Sequence, residues 1–302
     1  MAKSAEFIGI AALAALSVAV ASRPRSLTHR RGFRAADRRR AAARRIDWGA
    51  ALLALAALSD SGIEHYRGSF HNQAMYAPLA VSALTLAASL HDAIAPHRKS
   101  PVTDPIDNLA IGTGVIGTGF HLYNIGKRPG GFSWLNLFYA APLGAPASLS
   151  LAGMLRWMAA TVRRDRAEVC GIPTPSALAA LVSLGMVGTS AEATLLHFRG
   201  AYHNPAMAIP VTFPPVAALL LARAALRPGR RHRVTRWSLR LLAAVGLAGS
   251  AFHAYGIQRN MGGWRNWSQN VLNGPPLPAP PAFTALAIAG LATLDLIERE
   301  PR

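Results

Sequence analysis

Six histidines stand in a pattern that the chain repeats, and imidazole is the side chain best suited to bind metals or move protons near neutral pH. The segment His65-Tyr-Arg-Gly-Ser-Phe-His-Asn-Gln-Ala-Met-Tyr-Ala-Pro78 returns as His197-Phe-Arg-Gly-Ala-Tyr-His-Asn-Pro-Ala-Met-Ala-Ile-Pro210, with eight of fourteen positions identical. The same offset of 132 residues aligns a Phe-His-x-Tyr motif in each half. A fixed offset across separate motifs indicates an internal duplication.

The duplicated histidines favour a metal or haem centre over two alternatives, a structural hydrogen-bond network and a proton relay without metal. Imidazole with carboxylate suits Cu, Fe or Zn, and haem b is the other cofactor expected. The spacing matches no local zinc motif, and the catalytic residues are unknown. Each half supplies three ligands, which form either two equivalent sites or one joint site. The ligands of the two half-sites are His65, His71 and His121, and His197, His203 and His253.

Polar groups near the histidines are expected to orient or supplement the ligands. Asp60 and Glu192 each lie five residues before a histidine, about 7.5 Å deeper along the helix. A methionine beside imidazole would favour copper, although methionine within a helix is more often packing. The arginines could pair with the carboxylates, hold haem propionates or extend to lipid headgroups. The full set is Asp60, Glu64, Glu192, Met75, Met207, Arg67, Arg199, Asn72 and Asn204.

Two tight helical turns are predicted to position these side chains. Gly68 and Gly200 are expected to end one helix with left-handed backbone angles, which glycine tolerates. Asn72 and Asn204 are expected to cap the next helix, with Pro205 at its first position. The duplicated histidines therefore flank helix ends on one side of the molecule.

The elements that carry the turns have the composition of membrane-spanning helices. Half of the residues are hydrophobic (51%) and only 15% are charged. About 20 apolar residues in an α-helix cross a bilayer core. The predicted spans are 5–22, 46–64, 73–94, 105–126, 138–161, 175–197, 206–226, 236–258 and 279–298.

The charge distribution predicts the orientation of these spans. Of the 32 Lys and Arg residues, 25 lie in alternate connections between the spans and therefore on one side of the membrane, and ten of these lie within 23–45. By the positive-inside rule this side is cytoplasmic, so the histidines face outward. Residues 1–22 resemble a signal peptide, but the arginines that follow would resist export, which favours an uncleaved span. The positive-inside rule explains the excess of basic residues, so nucleic-acid binding is not needed to explain it.

The predicted fold class is therefore an all-α integral membrane protein with about nine transmembrane helices. An N-terminal helix precedes two tandem four-helix repeats of the same orientation, related by a pseudo-twofold axis along the membrane normal. The units are an N-terminal anchor (1–22), an Arg-rich cytoplasmic segment (23–45), repeat 1 (46–161), a cytoplasmic linker (162–174), repeat 2 (175–298) and a cytoplasmic tail (299–302). The segment 23–45 could be a helix on the inner surface, but a role in topology is favoured.

These features predict a multi-pass inner-membrane protein with a His-rich metal or haem centre at its outer face. Its expected task is oxidoreductase chemistry, or electron transfer to quinone or to a membrane or periplasmic redox partner. One alternative is a metal-ion or proton transporter. Because the helices below Asp60 and Glu192 are expected to be largely apolar, a permeation route is disfavoured. The other alternative is a non-catalytic structural or assembly subunit.

Overall fold

The computed structural model describes residues 31–95 and 105–299, and these residues form mainly α-helices. A two-stranded antiparallel hairpin, β1 (Glu168–Val169) with β2 (Ile172–Pro173), lies between the halves of the chain. Single 3₁₀ turns are formed by Gln73–Tyr76, Pro205–Ala208 and Gly263–Asn266. The α-helices are α1 (Arg31–Arg67), α2 (Ala77–Ile94), α3 (Pro105–Gly126), α4 (Trp134–Tyr139), α5 (Gly144–Arg163), α6 (Thr174–Arg199), α7 (Ile209–Ala225), α8 (Arg233–Arg259), α9 (Trp267–Asn273) and α10 (Pro281–Ile297).

Five helical segments in the described part of the chain are long and apolar enough to cross a membrane. Each has a mean hydropathy of 1.2 or more over its most apolar stretch. They are Ala36–Arg67, Gln73–Ile94, Thr174–Arg199, Pro205–Ala225 and Arg233–Arg259. The chain is thus an all-α protein of the membrane type. The predicted span 5–22 lies outside the described residues.

Helix α1 is longer than the predicted span 46–64. It continues without a break from Arg31, so the described part of the Arg-rich segment belongs to the same helix. Alanine and arginine are strong helix formers, and no proline occurs between Arg31 and Arg67 to end the helix. A separate helix lying on the inner surface is therefore not present from residue 31 onward.

The predicted span 138–161 begins late, because the chain leaves the helical conformation after Tyr139. Ala140 has extended backbone angles, and α5 starts only at Gly144. The second half shows the same break between α9 and α10, at a run of prolines. Proline has no N–H to donate within a helix, which favours an interruption at both places.

The core lies where α1, α5, α6 and α10 meet, and α10 is buried along most of its length. Many core side chains are alanines, and small residues let membrane helices approach closely. A Cβ added to Gly114 of α3 would lie 2.6 Å from the backbone nitrogen of Ser150 in α5. A Cβ on Gly246 of α8 would lie 2.8 Å from the nitrogen of Thr284 in α10. Gly114 and Gly246 thus allow these helices to pack closely.

Aligned residues make the same contacts in the two halves. Ser150 Oγ donates a hydrogen bond to the carbonyl of Ile111 at 3.0 Å. Thr284 Oγ1 donates to the carbonyl of Ala243 at 2.8 Å. These pairs align at offsets of 132 and 134 residues once a two-residue gap is allowed. The positional correspondence read from the histidine motifs therefore extends into the helix interiors.

Candidate functional site

The two helical turns form almost as predicted, with one change in the role of glycine. Asn72 Oδ1 accepts a hydrogen bond from Ala74 N, and Asn204 Oδ1 accepts one from Ala206 N, both at 2.9 Å. Each asparagine caps a 3₁₀ turn that leads into α2 or α7. Their side-chain oxygens are thus engaged in capping, which does not support a ligand role.

The left-handed residues of these turns are not the glycines. Positive φ occurs at Ser69 and Phe70 and at their counterparts Ala201 and Tyr202, whereas Gly200 has φ −83°. Gly68 and Gly200 are instead needed because a side chain at either position would crowd the neighbouring methionine. A Cβ on Gly68 would lie 3.2 Å from Met75 Cε, and one on Gly200 would lie 3.1 Å from Met207 Cε. The predicted left-handed glycine is therefore wrong, and each methionine packs on its glycine.

All six histidines bond a backbone carbonyl through the same ring atom, Nδ1. The partners of His65 and His197 are the carbonyls of Met75 and Met207, at 2.7 and 2.9 Å. His71 and His203 bond the carbonyls of Gly68 and Gly200 within their turns, both at 3.0 Å. His121 and His253 bond the carbonyls of Pro142 and Pro276, at 2.6 and 2.7 Å.

This hydrogen bonding fixes the tautomer of each neutral imidazole. A carbonyl oxygen can only accept, so Nδ1 must carry the proton in every case. The Nε2 lone pair is then available as a ligand, the arrangement found for most metal-binding histidines. The ends of helices and turns that carry the six histidines are called the histidine side below, and the opposite helix ends the arginine side.

The structure does not gather the predicted ligands into a three-ligand site. In residues 31–95 and 105–299, no group of three His, Cys, Asp or Glu side chains could hold a metal ion. The predicted half-sites of three histidines are therefore not supported as preformed metal sites. Some of the histidines interact electrostatically: His65 with His121 and His71, and His253 with His197.

The carboxylates of the two halves differ in their surroundings. Glu192 accepts hydrogen bonds from the backbone N–H groups of Leu143 and Gly144, at the start of α5. The residue that aligns with Gly144 is Pro278, which has no N–H. Asp60 has no hydrogen bond or ion pair within the described ranges, although it interacts electrostatically with Glu64 and Glu192. Asp60 is thus the carboxylate that remains available.

The arginines of the two turns also differ. Arg67 forms an ion pair with Glu64 at 3.2 Å and donates to the carbonyl of Leu272. The Arg199 guanidinium lies over the ring of Tyr139, 5.5 Å from its centroid. The predicted pairing with Asp60 or Glu192 is therefore not formed as an ion pair. A shallow, mainly apolar pocket lies between Arg199 and Glu192 and is closed by the segment 137–143.

The sequence prediction missed a set of buried charges at the arginine side of the first half. Asp47 and Arg156 are 0% and 2% exposed, and Asp92 and Asp107 are buried near them. The expectation of a largely apolar interior below Asp60 is therefore wrong. The signal was present in the duplication, because the residues that align with Asp47 and Asp107 are Ala179 and Leu239.

Comparisons of the chain with protein-family models, with curated proteins and with solved structures find no match. The class that the five apolar helices define is an α-helical membrane protein.

Proposed function

We propose that the chain is a multi-pass inner-membrane protein that holds haem b through paired histidines at its outer face. The histidine side faces outward and the arginine side faces the cytoplasm, as the positive-inside rule requires. The spans number nine, and the halves form two four-helix repeats about a pseudo-twofold axis. The shared Ser150 and Thr284 contacts support this arrangement.

The observation that carries the proposal is the Nδ1 hydrogen bond that His65, His121, His197 and His253 each make to a carbonyl ten or more residues away. It presents Nε2 as a ligand at equivalent positions of both halves. His71 and His203 bond only within their own turns. Haem is favoured over a bare metal ion, because the porphyrin supplies four nitrogens and iron then needs only one or two side chains. The ligand pairs are His65 with His121 and His197 with His253.

The expected task is electron transfer with a lipid-soluble quinone, or oxidase-type chemistry on a lipid-soluble substrate. Arg67 and Arg199 stand near the histidines and would pair with haem propionates.

The experiment is an absorption spectrum and a metal analysis of the detergent-purified protein. Wild type is expected to show a Soret band with stoichiometric iron. Asparagine can replace the Nδ1–H donor of histidine but offers no Nε2. We therefore expect His65→Asn and His121→Asn to keep the carbonyl hydrogen bond and lose the haem of the first half.

The matched control is His71→Asn, whose ring bonds only within its own turn and which should keep the haem. A colourless wild type that binds neither added haemin nor added metal would sink the proposal.

The second candidate function is that of a structural subunit, because the same Nδ1 hydrogen bonds also hold the neighbouring loops in place. His121 holds the carbonyl of Pro142, 21 residues away, and His253 that of Pro276. If the role is structural, His121→Asn should be neutral and His121→Ala should lower the thermal unfolding temperature, with no haem in either protein.

A further inference from the structure

A cluster of five charged side chains lies inside the first half, toward its arginine side. We call Asp47, Asp92, Asp107, Arg156 and Arg163 the charged cluster. Arg156 Nε lies 2.6 Å from Asp107 Oδ1, and Arg156 Nη1 lies 3.2 Å from Asp92 Oδ2. Arg163 pairs with Asp47 and also donates to the carbonyl of Asp92 at 3.1 Å. Three carboxyl groups thus meet two guanidinium groups, which leaves one excess negative charge if all are ionised.

A line of buried hydroxyl groups leads from this cluster toward the histidine side. Ser82, Thr85 and Ser89 of α2 are each 0% exposed, and Asp92 follows at the same spacing. Intervals of three and four residues place all four on one face of the helix. They span about 15 Å along α2. We call Ser82, Thr85 and Ser89 the hydroxyl line.

The line ends near Asp60. In the antiparallel pair of α1 and α2, His65 bonds Met75 and Arg163 joins Asp47 to Asp92. This register places Ser82 at the level of residues 57–58 in α1, about one turn below Asp60. Asp47 and Asp60 are about 20 Å apart along α1. Cluster, line and carboxylate therefore cover most of a hydrocarbon core of about 30 Å.

The second half shows that the fold does not need these polar groups. The residues that align with Ser82, Thr85 and Ser89 are Pro214, Ala217 and Leu221, all buried. Those that align with the charged cluster are all apolar and buried as well: Ala179, Ala224, Leu239, Gly290 and Ile297. Leu239 contacts Gly290 where Asp107 contacts Arg156 in the first half. These helix positions therefore pack equally well with apolar side chains in the second half.

Two buried oxygen atoms along this route lack a hydrogen-bond partner among the described atoms. They are Asp47 Oδ1 in the cluster and Ser82 Oγ at the far end of the line. Unpaired polar oxygens cost free energy in an apolar interior, and ionisable groups within membrane helices by default mark ion or proton routes. A water molecule that makes a hydrogen bond to each atom would satisfy both.

We propose that the first half contains a proton path from the arginine side to Asp60. A proton binds a carboxylate oxygen of the charged cluster and neutralises its excess charge. It then passes along the hydroxyl line. Thr85 and Ser89 donate to the carbonyls of Val81 and Thr85 at 2.7 and 2.6 Å, so each of these hydroxyls must turn from its carbonyl as it accepts one proton and releases another. Water molecules bridge the gaps of 4.5–6 Å along the axis. The proton then forms an O–H bond on Asp60, which is partly exposed and releases its proton on the histidine side, so that the path crosses the membrane; no electron is transferred. The path is independent of the haem proposal.

Charged groups surround the entrance on every helix that packs there. Arg44 of α1 donates to the carbonyl of Ala93 at 2.9 Å, and His91 and Asp92 end α2. Asp107 lies in the first turn of α3, and Arg156 and Arg163 lie in the last turns of α5. Asp92 is the carboxyl group of the cluster that reaches the surface most, at 9% exposure, and is therefore where the proton enters.

The test is proton movement into vesicles that contain the purified protein. A potassium gradient with valinomycin sets the membrane potential, and an enclosed pH-sensitive dye reports the proton flux. Wild type is expected to conduct protons faster than protein-free vesicles. Ser82→Ala and Asp92→Asn are each expected to lose the added flux, and Ser82→Ala removes a single oxygen atom and should fold normally.

The matched control is Ser183→Ala, which removes a buried hydroxyl of the second half and should keep the wild-type flux. A wild type no faster than protein-free vesicles would overturn the proposal, as would a Ser82→Ala protein that conducts like wild type. Repeating the assay with His65→Asn separates this proposal from the haem proposal. The flux should persist in that variant.

Discussion

The hydroxyl group of Ser190 supplies hydrogen bonds that two carbonyl groups of α7 lack. Pro214 and Pro215 stand inside this helix and have no N–H, so the carbonyls of Pro210 and Val211 lose their helical donors. Ser190 of α6 donates to both carbonyls, at 2.9 and 3.3 Å. In a membrane such carbonyls must be satisfied by a neighbour, because lipid offers no donor.

Ser190→Ala is expected to destabilise the protein by about 1–3 kcal/mol, the usual cost of a buried carbonyl left unpaired. Thermal unfolding in detergent, followed by circular dichroism, measures the loss. The matched control is Ser183→Ala. Ser183 Oγ donates to Ala218 O at 3.0 Å, a carbonyl within α7 whose own helical donor is not a proline. Equal effects of the two substitutions would contradict this account.

At the level of single residues, local chemistry was predictable and burial was not. The asparagine caps follow from residue type and position alone. Asp47 and Asp107 lie near the arginine-rich ends of their spans, where the sequence cannot distinguish a wet headgroup position from an interior one. Only the packing of α1, α2, α3 and α5 decides this.

Among the helices, α3 depends most on the absence of a side chain at one position. A Cβ on Gly114 would collide with Ser150 and with the carbonyl of Pro146, and backbone atoms cannot yield as a flexible side chain does. Gly112, on the same helix, has no atom within 4 Å of an added Cβ. The two positions therefore make a matched pair.

Gly114→Ala is expected to lower the thermal unfolding temperature strongly, because α3 must move away from α5 and its contacts are lost. Gly112→Ala should be neutral or slightly stabilising, since alanine is the better helix former. The Gly246→Ala protein should behave like Gly114→Ala. Tolerance of alanine at Gly114 would show that the two helices are not this close.

Helix positions were largely predictable from apolar length. Span 73–94 and span 105–126 match α2 with its 3₁₀ turn and α3. The start of α5 was not predictable, because the apolar residues 138–143 continue the hydropathy pattern while the backbone does not continue the helix. Proline near a span end allows both outcomes, and tertiary contacts select one.

For the whole molecule, the unequal halves provide a stability test. Replacing buried ion pairs by well-packed apolar residues is often neutral or stabilising by about 1–4 kcal/mol. The second half already supplies such a set, so its residues can be transferred to the first half. The five substitutions are Asp47→Ala, Asp92→Ala, Asp107→Leu, Arg156→Gly and Arg163→Ile.

The variant with all five substitutions is expected to fold, with a free energy of unfolding near or above that of wild type. Arg156→Met alone should cost about 3–5 kcal/mol, because it leaves Asp92 and Asp107 buried with less opposing charge. Thermal unfolding of both variants in the same detergent is the measurement. A fivefold variant less stable than Arg156→Met would mean that the cluster serves chiefly to hold the helices together.

Helix α1 is long enough to lie partly in the bilayer and partly in water. Its 37 residues extend about 55 Å, more than the 40–45 Å of a bilayer with its headgroups. The surplus lies on the arginine side, where Arg39 Nη2 meets Asp165 Oδ2 of the linker between the halves at 2.8 Å. This exposed pair is weakened by dissolved ions, whereas contacts within the hydrocarbon are not. A higher ionic strength therefore weakens the contact at the linker between the halves and leaves the interior of each half unchanged.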